Sequence, residues 1–324
     1  MKNPADNQSR IIGIDIGGTK IAAGLVEFPS VNATGRRVIR TEAHRGGSAV
    51  LDDVVQLATE LSRESARAGS PATAIGIGIC ELVDRNGNLA SENCIRWLGQ
   101  PVRERLSAIA PLAFEADVRA AALAEAAVGE GRSFETFLYV TIGTGISCCL
   151  MIRGRPYLGA RGFTGTMASS PITHHCEHCG EVDERTLEEI AAGPALLARF
   201  NAVHGNASSS EEVVRAAASG HPIAAQVVRS ASEALGAQIG MLVNVLDPEA
   251  VLLGGGIGIS DGFYQSQLTG SIRRHIWSRS QRDLPILRAK TGADAGWIGA
   301  ALAARNCFTN SSTTQPVPQP QASP

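Results

Sequence analysis

Apolar and polar positions along this chain follow two different periods, and the change from one to the other marks its elements. Arg10-Ile11-Ile12-Gly13-Ile14-Asp15-Ile16 is a β-branched run that stops at Gly17-Gly18, the pattern of a strand entering a tight turn. Thr19 to Val26 reads as the returning strand of a hairpin. From Leu51 to Ala68 the residues Val54, Val55, Leu57 and Leu61 recur at helical spacing, which predicts a helix. Ala74 to Ile79 alternates glycine with isoleucine, a strand that lets another backbone approach closely on one face. Asp117 to Val128 is alanine-rich and helical.

The plan then repeats. Phe137 to Ile142 runs into Gly143-Thr144-Gly145, and a second strand follows from Ile146 to Ile152. A long helix is predicted from about Ile223 to Leu246, then a strand from Ala250 to Leu253 that ends in Gly254-Gly255-Gly256. A closing helix is predicted from about Ala295 to Ala304. Two related halves of mixed strands and helices predict an α/β protein of two similar domains with a ligand cleft between them. The expected divisions are an extension over 1–10, a smaller domain over 11–120 and a larger one over 121–306, whose closing helix is free to pack back on the first. The remainder, 307–324, is rich in Ser, Thr, Gln and Pro from Thr309 onward and reads as a disordered tail.

Composition narrows the class. The 324 residues fit about two domains, and 44% hydrophobic with 19% charged residues is too apolar for a disordered chain. Lys and Arg number 29 against 31 Asp and Glu, so the net charge of −2 offers no broad footprint for nucleic acid. The opening MKNPADNQSR lacks the apolar core of a signal peptide, and no run of about 18 apolar residues occurs, so neither secretion nor a membrane span is expected. Seven cysteines, with Cys80, Cys94, Cys148 and Cys149 in apolar surroundings, fit reduced cytoplasmic thiols better than a disulfide framework.

The glycine turns carry the chemistry. A strand that ends in glycines can offer backbone N–H groups to a phosphate, because no Cβ blocks the approach. Asp15, Gly17, Gly18, Thr19 and Lys20 combine such a turn with a carboxylate for magnesium, a hydroxyl and an ammonium. Thr141, Gly143, Thr144 and Gly145 form a second turn, and Gly254, Gly255 and Gly256 a third. One isolated Gly-Gly turn reads more readily as a plain hairpin. Three across two halves point to a nucleotide whose phosphates lie in the cleft. None is a Walker A loop, and no GxGxxG follows the first strand.

The succession of Asp15–Lys20 (DIGGTK), an aspartate at a helix start, Thr141–Gly145 (TIGTG), Leu246–Gly256 (LDPEAVLLGGG) and Gly292–Ala301 (GADAGWIGAA) resembles the ROK family of sugar kinases and repressors, from about Ile11 to Ala304. The resemblance implies the actin/hexokinase-like (ribonuclease H-like) fold, ATP with Mg2+, a sugar substrate and a homodimer. Repressors of the family carry an N-terminal helix-turn-helix. Ten residues before the first strand leave no room for one, so the kinase branch is expected. Within Glu115-Ala116-Asp117-Val118-Arg119, Asp117 matches the family's catalytic base, which orients the sugar hydroxyl and accepts its proton. Read alone, Asp117 is equally a helix N-cap.

The sugar pocket departs from the family pattern. Asn93 matches a residue that bonds sugar hydroxyls, Trp97 is expected to pack, and Glu188 matches a retained sugar-binding glutamate. The asparagine that usually precedes the catalytic aspartate is Ala116; a sugar-binding glutamate is replaced by Thr166 and a histidine by Ser169. Cys80-Glu81-Leu82 stands in place of Pro-Gly-Pro, so Glu81 either pairs with the ammonium of an amino sugar or points to solvent. Family members bind a structural zinc, and here Cys176 and Cys179 at C-x2-C spacing with His174, His175 and His178 match that region, although Thr186 stands where the last cysteine falls. The expected activity is γ-phosphoryl transfer from ATP to a hexose 6-hydroxyl, glucokinase-like, with an amino sugar or N-acylmannosamine as the alternative acceptor. A non-catalytic sugar or nucleotide sensor is the alternative from another class.

Overall fold

The structure, a computed structural model, describes residues 9–175, 180, 182–203 and 205–310. The first half comprises β1 (Ser9–Ile16), β2 (Lys20–Phe28), β3 (Asn32–Arg40), α1 (Gly47–Arg67), β4 (Ala72–Ile79), α2 (Val102–Ser107), β5 (Leu112–Ala116) and α3 (Asp117–Val128). The second opens with β6 (Thr136–Ile142), β7 (Ile146–Ile152) and β8 (Arg155–Pro156), followed by the hairpin β9 (Pro171–His175) and β10 (Val182–Thr186). It continues through α4 (Leu187–Ala191), α5 (Gly193–Val203), α6 (Ser210–Ala218), α7 (Pro222–Leu246), β11 (Ala250–Gly254), α8 (Gly255–Gly258), α9 (Phe263–His275), β12 (Ile286–Arg288) and α10 (Ala295–Asn310).

The two large sheets share one plan. Sheet order is β3-β2-β1-β4-β5 in the first and β12-β11-β6-β7-β8 in the second. In each, the opening strand pairs antiparallel with the next strand in sequence and parallel with one that returns after helical segments. This is the mixed α/β architecture expected from the repeated strand–glycine–strand units.

Strand alternation assigns the faces. Ile12, Ile14 and Ile16 of β1, with Ile75, Ile77 and Ile79 of β4, pack under α1 beside Leu51, Val54 and Leu61. The opposite face of these strands carries Gly13, Gly76 and Gly78, and α10 lies on it. A Cβ on Gly13 would fall 1.9 Å from the Trp297 carbonyl oxygen, and one on Gly76 would fall 1.9 Å from that of Ala300. No residue but glycine permits this approach. Gly299 meets α3 in the same way, 1.6 Å from the Ala120 carbonyl oxygen.

Helices α3 and α10 therefore form a middle layer. Ile11, Ala22 and Ala74 of the first sheet, Phe137, Tyr139 and Leu252 of the second, and Trp297 and Ala301 of α10 belong to one buried cluster. The alanine-rich surface of α3 suits this thin layer, because small side chains let two sheets close on it. Beyond the second sheet, Leu138, Val140, Val251 and Leu253 pack with α4 to α7 and α9. At roughly 1.5–3 kcal/mol for each large side chain fully buried, these three clusters supply the main drive to fold.

The chain departs from expectation at its C-terminal end. Helix α10 continues through Thr309 to Asn310, where a disordered tail was expected to begin. Residues 311–324 lie outside the described residues.

Candidate active site

The first glycine turn is held at its base and open at its tip. Gly17 N–H donates to the Lys20 carbonyl at 3.0 Å, and the buried Thr41 donates from its hydroxyl to the Gly17 carbonyl at 2.6 Å and from its N–H to that of Thr19 at 3.1 Å. Gly18, Thr19 and Lys20 are exposed. Asp15 precedes them, on the α10 side of β1. A Cβ on Gly296 would lie 2.2 Å from Asp15 Oδ2, so the start of α10 closes over this carboxylate.

Asp117 opens α3. The N-cap of that helix is Ala116, so Asp117 is the first helical residue rather than the cap, and its Oδ1 accepts the Val118 N–H at 2.6 Å. Enclosure pushes its pKa up to about 6; the charge of Glu81 adds to the rise, while the Val118 N–H and Arg119 oppose it. Asp15 is pushed up to about 7, first by enclosure and then by the charge of Asp117, against the pull of Lys20. Two carboxylates in one poorly solvated enclosure repel each other and are relieved by a cation. Hard oxygen donors of this kind fit Mg2+ carried with a nucleotide.

The second and third turns converge. Gly143 N–H donates to the Gly145 carbonyl at 3.0 Å, and Gly193 N–H donates to the Gly143 carbonyl at 2.8 Å. A Cβ on Gly143 would lie 3.9 Å from the Gly256 nitrogen. Gly255 has φ of +77°, and a Cβ there would fall 2.4 Å from the Ile142 carbonyl oxygen, so geometry and space both demand glycine. Gly256 is exposed and a Cβ on it would meet nothing within 4 Å. Gly254, the last residue of β11, pairs in register with Thr141, the penultimate residue of β6.

Glu188 lies in α4 and accepts the Ile146 N–H at 3.0 Å, fastening the far end of the second turn. Its charge also acts on Cys94, the chain neighbour of Asn93. Thr186, at the position of the missing family cysteine, caps α4: its hydroxyl accepts the Glu189 N–H at 3.3 Å and Glu189 accepts the Thr186 N–H at 2.8 Å. Of the expected zinc ligands, Cys176, Cys179 and His178 lie outside the described residues, as does the side chain of His174, whose backbone belongs to β9.

Glu81 corrects the sequence reading. It is 5% exposed, and its carboxylate accepts the Ser91 hydroxyl at 2.5 Å and the N–H groups of Asn93, Cys94 and Ile95 at 2.8, 2.6 and 2.8 Å. Four donors fill the acceptor capacity of a carboxylate. Glu81 thus neither points to solvent nor stands free to pair with an ammonium; it shapes the loop that presents Asn93, which is exposed. Trp97 is buried and its Nε1–H donates to the Gly47 carbonyl at 2.9 Å, a packing residue.

Three further residues escaped the sequence reading. Arg119 is 2% exposed, pairs with Glu115, and donates to the carbonyls of Val83 and Gly162, tying together both strands' exits and the loop beyond β8. Gly296 and Thr41 support Asp15 and the first turn. Only the folded chain brings them there, since 281 and 24 positions separate them from Asp15 and Gly17 respectively.

The model of the ROK family matches residues 11–306. A ROK hexokinase from Thermus thermophilus superposes with a TM-score of 0.75 at 32% identity, over 93% of this chain and 99% of that one. A ROK glucokinase from Streptomyces griseus, solved in complex with glucose and AMPPNP, has a TM-score of 0.76 at 25% identity over 92% of this chain and 100% of that one. Among curated relatives, the bifunctional enzyme NanE/NanK of Brucella melitensis is 29% identical over 314 residues, which are 95% of this chain. The chain spans just over half (56%) of that enzyme's length.

Proposed function

The chain belongs to the ROK family, and we propose that it is an ATP-dependent sugar kinase that transfers the γ-phosphoryl group to a hexose 6-hydroxyl. The observation that carries the reading is the electrostatic coupling of Asp15 to Asp117, both poorly solvated, beside a glycine turn whose tip at Gly18 is exposed. A glucokinase of the same family takes glucose and an ATP analogue together.

In this reading Asp117 holds the acceptor hydroxyl and takes its proton as the new O–P bond forms and the bond from the γ-phosphorus to the β-phosphate oxygen breaks, releasing ADP. A pKa of about 6 keeps the carboxylate ionised at neutral pH and still basic enough to accept the proton. The N–H groups of Gly17 and Gly143 close their own turns, and in this reading the turns they shape, with Gly18, Gly145 and the Gly254–Gly256 run, face the phosphates, while Lys20 adds a positive charge and Thr19, Thr141 and Thr144 add hydroxyls. Asp15 would hold the magnesium that arrives with ATP, which neutralises phosphate charge when bound. Asn93 and Glu188 hold the sugar. Closure of the two halves excludes water, so that ATP is not hydrolysed instead.

The reading includes a cytoplasmic homodimer and a zinc held near Cys176 and Cys179. Among the described residues no helix is long and apolar enough to cross a membrane. Thr166 and Ala116, which lack the polar groups of the family pattern, favour a sugar other than glucose or, in the second reading, a sensor without turnover. An ADP-release assay over hexoses and amino sugars, run beside Asp117→Asn, tests both: turnover on one sugar that the variant loses supports the kinase, and ATP binding without turnover on any sugar supports the sensor.

A further inference from the structure

Strand β3 carries three arginines, and two of them have acid partners. Arg36 pairs with Asp294 at 2.6 Å and Arg37 with Glu64 at 2.8 Å. The third, Arg40, ends the strand and is exposed, and among the described residues its side chain has neither an ion pair nor a hydrogen bond. The acids that share a groove with it are engaged elsewhere: Glu42 and Asp53 both pair with Arg45, and Glu60 accepts the Gln56 amide at 2.9 Å.

The register of the sheet sets this free charge beside the first glycine turn. Arg40 pairs with Lys20 across β2 and β3, and register partners in an antiparallel pair put their side chains on one face, with Cβ atoms about 5 Å apart. That face is the one Asp15 occupies. Asp15 pairs with Ala22, two positions after Lys20, and alternate residues of a strand share a face. Val38 pairs with Ala22 on the same face and is 45% exposed, so this corner of the sheet is open. Thr41, the next residue after Arg40, donates to the carbonyls of Gly17 and Thr19, which fixes the end of β3 against the turn. Asp15, Lys20 and Arg40 thus stand in a row across three strands. Like charges set opposite each other on neighbouring strands repel. Charge on β3 also guards a sheet edge, but Arg36 and Arg37 already supply that. An anion bound at this corner removes the repulsion, and a guanidinium offers a phosphate two parallel N–H donors.

We propose that Arg40 and Lys20 form a two-cation seat for the phosphates of the phosphoryl donor, with Arg40 a donor-binding residue at the outer edge of the first turn. The proposal rests on the reading of that turn as a phosphate site and assigns a further residue to it. The seat recognises phosphate charge and not the base, so it also takes inorganic tripolyphosphate, which carries the same run of phosphates without a nucleoside.

The test is calorimetric titration of the full chain with ATP and, separately, with inorganic tripolyphosphate, both with magnesium. Arg40→Met should weaken both about tenfold or more, and Arg40→Lys should recover part of the loss. Arg37→Met, on the same strand but facing α1, should leave both affinities unchanged. Added salt should weaken binding to the parent more steeply than to Arg40→Met. Without ligand, Arg40→Met should melt at the parent's temperature or above it, since the variant relieves the repulsion with Lys20. Unchanged affinities in Arg40→Met, an equal loss in Arg37→Met, or a parent that binds neither compound would overturn the proposal. Turnover plays no part in the readout. A chain that binds both compounds through Arg40 and phosphorylates no sugar would therefore keep this seat while losing the kinase reading.

Discussion

Asp15, near the end of β1, and Asp117, just beyond β5, stand near enough for the charge of one to act on the other. In the first sheet Asp15 pairs in register with Gly78, and Gly78 with Glu115, two residues before Asp117. A Cβ on Gly78 would lie 3.4 Å from Asp15 Oδ1 and 3.4 Å from the Ala120 Cβ. Absence of a side chain at Gly78 leaves room for the Asp15 carboxylate and for Ala120 of α3, and the charge of Asp117 raises the pKa of Asp15. The parallel pairs β1–β4 and β4–β5 thus bring two carboxylates into range of each other from positions 102 residues apart.

The pairing dictates a pH profile. In the proposed reading Asp117 acts as base only when ionised, and enclosure pushes its pKa up to about 6, with Asp15 up to about 7. The two titrate as a coupled pair, so an acid limb between about pH 6 and 7 should appear in kcat/KM for the sugar. Asp117→Asn should lower kcat by about 10²–10⁴-fold and leave ATP affinity nearly unchanged.

Stability should respond in the opposite sense. Both carboxyls have folded pKa values raised above the ordinary 3.8. Between pH 4 and 7 the native state therefore binds more protons than the unfolded state, and stability falls as pH rises through that window. Asp15→Asn removes the Asp15 share of this burden and the repulsion between the two. Without nucleotide or magnesium, the variant should be more stable than the parent at pH 8 by about 1–3 kcal/mol and nearly equal at pH 4. Thermal melts at the two pH values check the sign.

Two glycines should separate support from contact. Gly296→Ala places a Cβ 2.2 Å from Asp15 Oδ2 and must move either the carboxylate or the start of α10. It should cost about 1–3 kcal/mol of stability and most of the activity. Gly256→Ala meets open space. Its melting point should be almost unchanged while KM for ATP rises, because the new methyl group stands where phosphate would approach.

Arg119 should be a determinant of stability. Its guanidinium is buried and joins Glu115 to the Val83 and Gly162 carbonyls. Arg119→Met leaves Glu115 and two carbonyls short of a partner, at about 3–5 kcal/mol. Denaturant unfolding measures the loss, and Arg119→Lys should recover only part of it, because an ammonium cannot span three acceptors in a plane.

The fold class was legible because its signals are local. Runs such as Ile11–Ile16 and Phe137–Ile142 change period at a glycine turn, and the Gly/Ile alternation of Ala74–Ile79 announced the approach of a backbone that proved to be α10. β3 was not read because its side chains are mostly exposed and polar, without an apolar face to set a period. Within the site, the glycine turns could be found in sequence as short motifs. The role of Glu81 could not: it depends on four donors from a loop ten or more residues away. Thr186 likewise looked like a lost metal ligand, and the structure shows a capping residue in its place.

The central claim is that Asp117 serves as the base for phosphoryl transfer to a sugar. The most direct test is ADP release measured over a panel of hexoses and amino sugars, for the parent and for Asp117→Asn. The account predicts strong turnover on at least one sugar and its near-complete loss in a variant that still binds ATP. Turnover that survives in Asp117→Asn, or ATP binding with no turnover on any sugar, would contradict it.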